Sequence, residues 1–222
     1  MPTRAAIVNV TEAGRRERRR QETGDRLVDA AVRLFADRGF AATTVADITS
    51  AADVGKGTFF NYFPSKEHIL IALGERQVGK IAAAAGAINS GIPIREQVRC
   101  IVHQLVAGWL RSKRLIRTML GIGLGNEAMT PLLEGLLPQG RGHMQVLFAE
   151  AQRRGDLRRD LSAADLARML QQFMLGTQIV WSLHAAADID AWIDQALDVF
   201  WTGISAGKAT TSSARRKTRS RS

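Results

Sequence analysis

Along nearly all of residues 16–206, apolar side chains recur three and four positions apart, the spacing that gathers them on one face of an α-helix. No run of Val, Ile and Thr alternates with polar residues over the length of a strand. Leu27, Ala30, Ala31, Leu34 and Phe35 predict a first helix over 16–38, which Gly39 ends in the left-handed stop position and whose first turns Gly24 weakens. Thr44 and Asp47 have capping-box spacing ahead of Val45, Ile48 and Ala52. The chain breaks at Asp53-Val54-Gly55 and turns helical again over 56–62. It stops at Phe63-Pro64, because proline disfavours helix at the residue before it. Ser65 caps a fourth helix, with Glu67 at the positive end of its dipole, running through Ile69, Leu70, Leu73 and Val78 to about residue 88.

After the loop Asn89-Ser90-Gly91, Pro93 opens a helix to about residue 112, with Val98, Ile101, Val102, Leu105 and Trp109 on one stripe. A shorter helix over 113–122 is loosened by Gly121, Gly123 and Gly125. Thr130-Pro131 starts another, which Pro138 breaks; the next covers 142–153 and closes at Gly155. Ser162 with Asp165 opens a long helix to about residue 185, and Asp188 caps a last one to about residue 205. The pattern is that of an all-α protein of nine or ten helices.

Composition adds direction. The chain of 222 residues is long enough for one large domain or two modest ones. Its single cysteine, Cys100, excludes an intrachain disulfide and fits a reducing compartment. No apolar run follows the arginine-rich start as in a signal peptide, and none approaches the length of a membrane span, so a cytoplasmic protein is expected. The formal charge is +10, but it sits at the ends. Residues 1–26 hold seven basic and four acidic side chains, 27–66 four of each, and 207–222 six basic and none acidic. The last stretch, rich in Ser, Thr, Lys and Arg, reads as a disordered tail attracted to polyanions, and residues 1–15 as a basic, disordered arm. The arginines from Arg15 to Arg20 suit a helical or flexible arm near the DNA minor groove.

One segment carries chemistry. Residues 43–67, TTVADITSAADVGKGTFFNYFPSKE, place two short helices around a tight break, the architecture in which the second helix enters the major groove. Phe59, Phe60, Tyr62 and Phe63 occupy four of five positions there, so they cannot all face one interior, and an exposed ring points to a partner.

The same stretch resembles the N-terminal domain of the tetracycline-repressor (TetR) family of bacterial transcription regulators. The motifs are A-x-x-L-F from Ala31, G-F-x-x-T-T from Gly39, T-V-x-D-I from Thr44, A-x-V-x-x-G-T-F-F-x-Y-F from Ala52 and S-K-E-x-I-L from Ser65. The resemblance implies a three-helix helix-turn-helix DNA-binding domain over 16–72 and a helical ligand-binding and dimerisation domain over 73–206. It implies groove-facing roles for Lys56, Thr58 and Asn61, whose amide can pair bidentately with adenine. Gly57 would let the helix approach closely. Thr44, Tyr62 and Lys66 match phosphate-contacting positions, Lys66 with help from helix backbone N–H groups. Phe60 stands where the family usually has tyrosine; a phenolic contact is lost while contact with a thymine methyl survives.

In the second domain, the two last helices are apolar over a wider arc than one core needs, which predicts a subunit interface involving Met174, Thr177, Trp181, Trp192, Gln195 and Val199. For an effector pocket the candidates are Trp109, Met119, Met144, Phe148 and Phe173, with His103, Arg117 and Gln172 as polar anchors. The sequence therefore predicts a homodimeric repressor of a palindromic operator on double-stranded DNA, released by a small, largely apolar effector. A DNA-organising or partner-binding member without an effector is the alternative. No catalytic or metal-binding constellation is present, so no enzyme, metal or cofactor is expected.

Overall fold

The computed structural model describes residues 4–86 and 91–205, without the side chains of residues 4–13 and of Trp109. The tail at 207–222 and the Trp109 ring thus lie outside the described residues. Among the described residues, nine α-helices and one 3₁₀ turn follow in order: α1 Arg4–Asp37, α2 Val45–Ala51, α3 Lys56–Phe60, α4 His68–Gly86, α5 Ile94–Val106, the turn Trp109–Arg111, α6 Lys113–Gly125, α7 Thr130–Arg154, α8 Ala163–Leu183 and α9 Ile189–Ile204. Among the described residues the only β pairing is an isolated bridge between Leu157 and Ser205.

The ends of these helices follow local chemistry. At α2, Thr44 Oγ1 accepts from the Asp47 N–H (3.1 Å) while Asp47 Oδ2 accepts from the Thr44 N–H (2.8 Å), completing the capping box. The Ser162 hydroxyl caps α8 by accepting from the Asp165 N–H, the Asp188 carboxylate caps α9 by accepting from the Asp190 N–H, and Gly155 ends α7 at φ +83°. Gly39, at φ +92°, stops α1.

Four expectations change. First, α1 begins at Arg4 rather than near residue 16, so residues 4–15 continue the helix instead of forming a disordered arm; no proline interrupts them. Second, α5 ends at Val106, because Gly108 turns the chain at φ +99°. Third, α6 runs through all three of its glycines. Fourth, α7 passes through Pro138 unbroken. Its flanks hold it there: Gly74 of α4 seats Leu136, Gly140 seats Ile81 of α4, and Gln171 of α8 donates to the Leu137 carbonyl. Tertiary packing overrides the local penalty of the missing N–H.

Two cores result. The first joins Leu27, Ala31 and Phe35 of α1 to Ile48 of α2, Phe59 of α3 and Ile69, Leu70 and Leu73 of α4, together with Leu115 of α6. The second gathers α5, α7, α8 and α9 around Val102, Leu147, Phe148, Leu166 and Ile193. α4 spans both, with Leu73 in the first and Ala85 in the second. Because α6 supplies Leu115, Met119 and Ile122 to the first core, the two domains interlock beyond residue 73. Arg114 of α6 strengthens the junction by donating to the carbonyls of Ala36 and Asp37 at the end of α1 (3.3 and 2.6 Å).

Candidate nucleic-acid interface

α3 is a single turn and a half, and burial of one side chain sets its orientation. Phe59 is fully buried, in edge contact with Phe60 (centroids 5.4 Å apart) and tilted against Phe63 (5.6 Å). With Phe59 inward, Phe60 is forced outward and is 51% exposed. Lys56, Gly57 and Asn61 are exposed beside it, and Thr58 is half-buried. A Cβ added at Gly57 would meet nothing within 4 Å, so no contact inside the chain requires glycine there. The turn before α3 takes its left-handed residue at Asp53 (φ 51°), while Gly55 is extended.

Around α3 the other candidates are engaged. The Thr44 hydroxyl bonds Asp47 and caps α2. That hydroxyl, the Thr44 N–H and the Arg38 charge hold the Asp47 carboxyl below its ordinary range. Tyr62 is half-buried against α1, where a Cβ at Gly24 would lie 3.4 Å from its ring, and the Arg20 guanidinium sits 5.8 Å from its centroid.

Lys66 departs most from expectation. Its ammonium donates to the carbonyls of Phe40 (2.8 Å) and Thr43 (3.0 Å) and lies 4.4 Å from the Phe40 ring centre. It ties the α1–α2 loop to the start of α4 rather than reaching freely outward. The helix N–H groups expected beside it are also paired: those of His68, Ile69 and Leu70 donate to the carbonyls of Ser65, Lys66 and Glu67. The Ser65 hydroxyl meets the His68 ring instead of capping α4. Sequence reasoning missed Arg76, which bonds Asp29 (2.7 Å) and Asp25 (2.5 Å) and locks α4 to α1. Partners 47 and 51 positions away leave no local signal.

The effector-pocket candidates do not converge. Met119 packs on the first core, whereas Met144 and Phe148 are buried in the second. Gln172 and Phe173 face outward on α8, and the Arg117 guanidinium donates to the Ser182 carbonyl (2.6 Å). His103 belongs to a charged ladder between α5 and α9: Arg95 with Asp198 (2.6 Å), Arg99 with Asp194 (2.8 Å) and His103 with Asp194 (2.7 Å). The described surface does open a cleft of about 480 Å³ between the α1–α2 loop and α6, lined by Phe40, Ala42, Arg114, Thr118 and Ile122.

The dimer candidates divide. Met174 and Trp181 are buried within the chain, Trp181 donating from its indole to the Ala187 carbonyl, so they are core rather than an outer face. Thr177 and Trp192 are half-buried, and Gln195 and Val199 are exposed. The outward stripe of α8 is instead Met169, Phe173, Val180 and Leu183, spaced by helical turns and left open by this chain.

A buried-backed helix-turn-helix interlocked with an all-helical second domain is an architecture that presents a short helix to a DNA major groove. Residues 27–73 match the family model described as bacterial regulatory proteins, tetR family. A stretch of 58 residues is 41% identical to the HTH-type regulator YerO of Bacillus subtilis; that match spans 26% of this chain and only 20% of YerO. The repressor KstR of Mycolicibacterium smegmatis is 26% identical over 193 residues, 85% of this chain and 89% of KstR. The crystal structure of the TetR-family repressor FadR of Thermus thermophilus with lauroyl-CoA superposes with a TM-score of 0.62 at 25% identity, covering 81% of this chain and 94% of FadR. These findings support a TetR-family transcriptional regulator: residues 27–73 match the family's N-terminal domain, and most of the chain is similar to the repressors KstR and FadR. No helix among the described residues is long and apolar enough to cross a membrane.

Proposed function

We propose that this regulator binds a palindromic operator as a homodimer, represses from it, and leaves it when a largely apolar small molecule binds the second domain. The observation that carries the DNA reading is the outward face of α3, where burial of Phe59 presents Lys56, Phe60 and Asn61 together. Asn61 and Lys56 read base edges, Thr58 lies at the edge of the contact, and the Phe60 ring meets a thymine methyl. Gly57 lets the backbone approach, and Thr44 and Tyr62 flank the groove at phosphates. Lys66 holds the loop beside α2 and keeps one ammonium proton for a phosphate. The open α8 stripe with Gln195 and Val199 of α9 supports a two-fold interface in which the same patch meets itself. The protein then acts in the cytoplasm, on the nucleoid. Asn61→Ala tests the assignment in gel shifts with DNA upstream of its own coding sequence. Relaxed preference at one base pair is expected, and unchanged affinity and sequence preference would refute it.

The lauroyl-CoA bound to FadR supports an acyl-chain effector class here. The burial of Met144 and Phe148 within the second core favours a second reading, a member working without an effector. A thermal-shift titration with lauroyl-CoA separates them: a rise in Tm growing with ligand concentration supports the effector, and no shift at saturation supports the second reading.

A further inference from the structure

We propose that the arginine-bearing N-terminal turns of α1 form a second DNA-contacting surface, in which Arg16, Arg19 and Arg20 hold backbone phosphates beside the segment read by α3. The inference rests on the DNA-binding reading and adds an element to it.

α1 is continuous from Arg4 to Asp37, so these arginines are carried rigidly on the helix that anchors the helix-turn-helix. Its far end is fixed to α6 by Arg114, and the turns around Arg20 and Gly24 lie against Tyr62, just past the end of α3. The N-terminal turns therefore project away from the second domain, past the recognition helix. At about 1.5 Å per residue, Arg16 stands roughly 12 Å along α1 beyond the Gly24–Tyr62 contact.

Helical phase supplies the direction. Leu27 and Ala31 bury one face of α1 in the first core. Counting back by 3.6 residues per turn, that same face passes Thr23 or Gly24, then Arg20 and Arg16, with Arg19 adjacent. Arg20 over Tyr62 agrees with this count. Beyond Tyr62, the face that packs the domain carries arginine in place of apolar residues, and Arg16, Arg19 and Arg20 are all exposed.

Charge completes the case. Many arginines elsewhere are engaged within the chain: Arg76 with Asp25 and Asp29, Arg95 with Asp198, Arg99 with Asp194 and Arg111 with Asp190, while Arg114 and Arg117 donate to backbone carbonyls. Among the described residues Arg16, Arg19 and Arg20 pair with no carboxylate. Asp25, in the next turns of the helix, is neutralised by Arg76 and so does not oppose a phosphate. Guanidinium groups with free donors on a rigid support fit the phosphates of a duplex, the polyanion α3 already faces. Glu17 lies among them and limits the patch to a local contact.

The test uses the full chain and a fluorescent mixed-sequence duplex of about 40 base pairs, with affinity followed by anisotropy across KCl concentration. The triple variant Arg16→Gln, Arg19→Gln, Arg20→Gln keeps helix propensity and should keep its melting temperature. Its slope of log affinity against log salt should flatten by about 0.9 per lost phosphate contact, up to about 2.7 per bound protomer and about 5.4 for a dimer with both arms engaged. The matching triple Lys variant should retain the slope. A wild-type chain that binds the duplex while the Gln variant keeps its slope would overturn this proposal alone, as would loss of slope in the Lys variant. A wild-type chain that does not bind at all would sink the DNA-binding reading itself.

Discussion

Replacing Lys66 with methionine keeps the aliphatic stem and removes the ammonium. In the folded chain this strips two donors from the carbonyls of Phe40 and Thr43, at 2.8 and 3.0 Å, and ends the contact over the Phe40 ring. Hydrogen bonds involving a charged group contribute about 1.5–3 kcal/mol each. The site is only part-buried, so water replaces some of that. The cation–π contact adds about 0.5–1 kcal/mol. A net loss of about 3 kcal/mol follows, which for a chain of this size lowers Tm by about 6–12 °C. Thermal melts followed by circular dichroism read that shift, and anisotropy on a mixed-sequence duplex reads the affinity. Both should fall together, because the loop Lys66 ties down leads directly into the Thr44 cap of α2. If Lys66→Met melted like the wild type while losing DNA affinity, the ammonium would be a free phosphate clamp and the reasoning from its carbonyl bonds would be wrong.

Gly57→Ala should separate folding from binding in the opposite direction. Alanine gains helix propensity of about 0.8–1 kcal/mol and meets nothing inside the chain, so Tm holds or rises while operator affinity drops; equal affinity would remove the close-approach role. Leu115→Ala empties a nearly fully buried position shared by α6 and the DNA-binding core, and should cost about 2–5 kcal/mol by chemical denaturation. A loss below about 1 kcal/mol would show that the domains do not interlock there. The Asp47 carboxyl is held below its ordinary range by Thr44 and Arg38. Asp194 is too, since burial would raise it but the His103 bond and the charges of His103 and Arg99 outweigh that. A carboxylate with a depressed folded-state pKa contributes stability above its unfolded value of about 3.9 and loses it as pH falls through the lower folded value. Stability should therefore drop below about pH 4, and Asp194→Asn should make that drop shallower; an identical acid limb in the variant would contradict the ladder's role.

Features that depend on neighbours in the chain were legible in the sequence. The capping pairs Thr44–Asp47 and Ser162–Asp165 sit three residues apart and close as their spacing predicts. The outward position of one aromatic in the Phe59–Phe63 cluster also followed from helical geometry, and the ring is Phe60. The rest turned on distant partners. Pro138 does not break α7, because packing from α4 and a bond from Gln171 hold the helix straight through. Lys66 finds carbonyls 26 and 23 residues away, and Leu115 joins a core built mainly from residues 27–73. Apolar character alone did not distinguish pocket, core and interface on α8 and α9. Met174 and Trp181 turn inward while Phe173 and Val180 turn out, a division set by the phase of α8 against α7, α9 and α6.

The most direct test is affinity-purification sequencing of fragmented genomic DNA with the full-length protein, followed by the mass of the complex on the recovered site. A two-fold symmetric motif is predicted, with half-site centres about one helical turn, ~34–36 Å, apart and two protomers bound. A motif lacking a dyad, or a single protomer on the site, would contradict it.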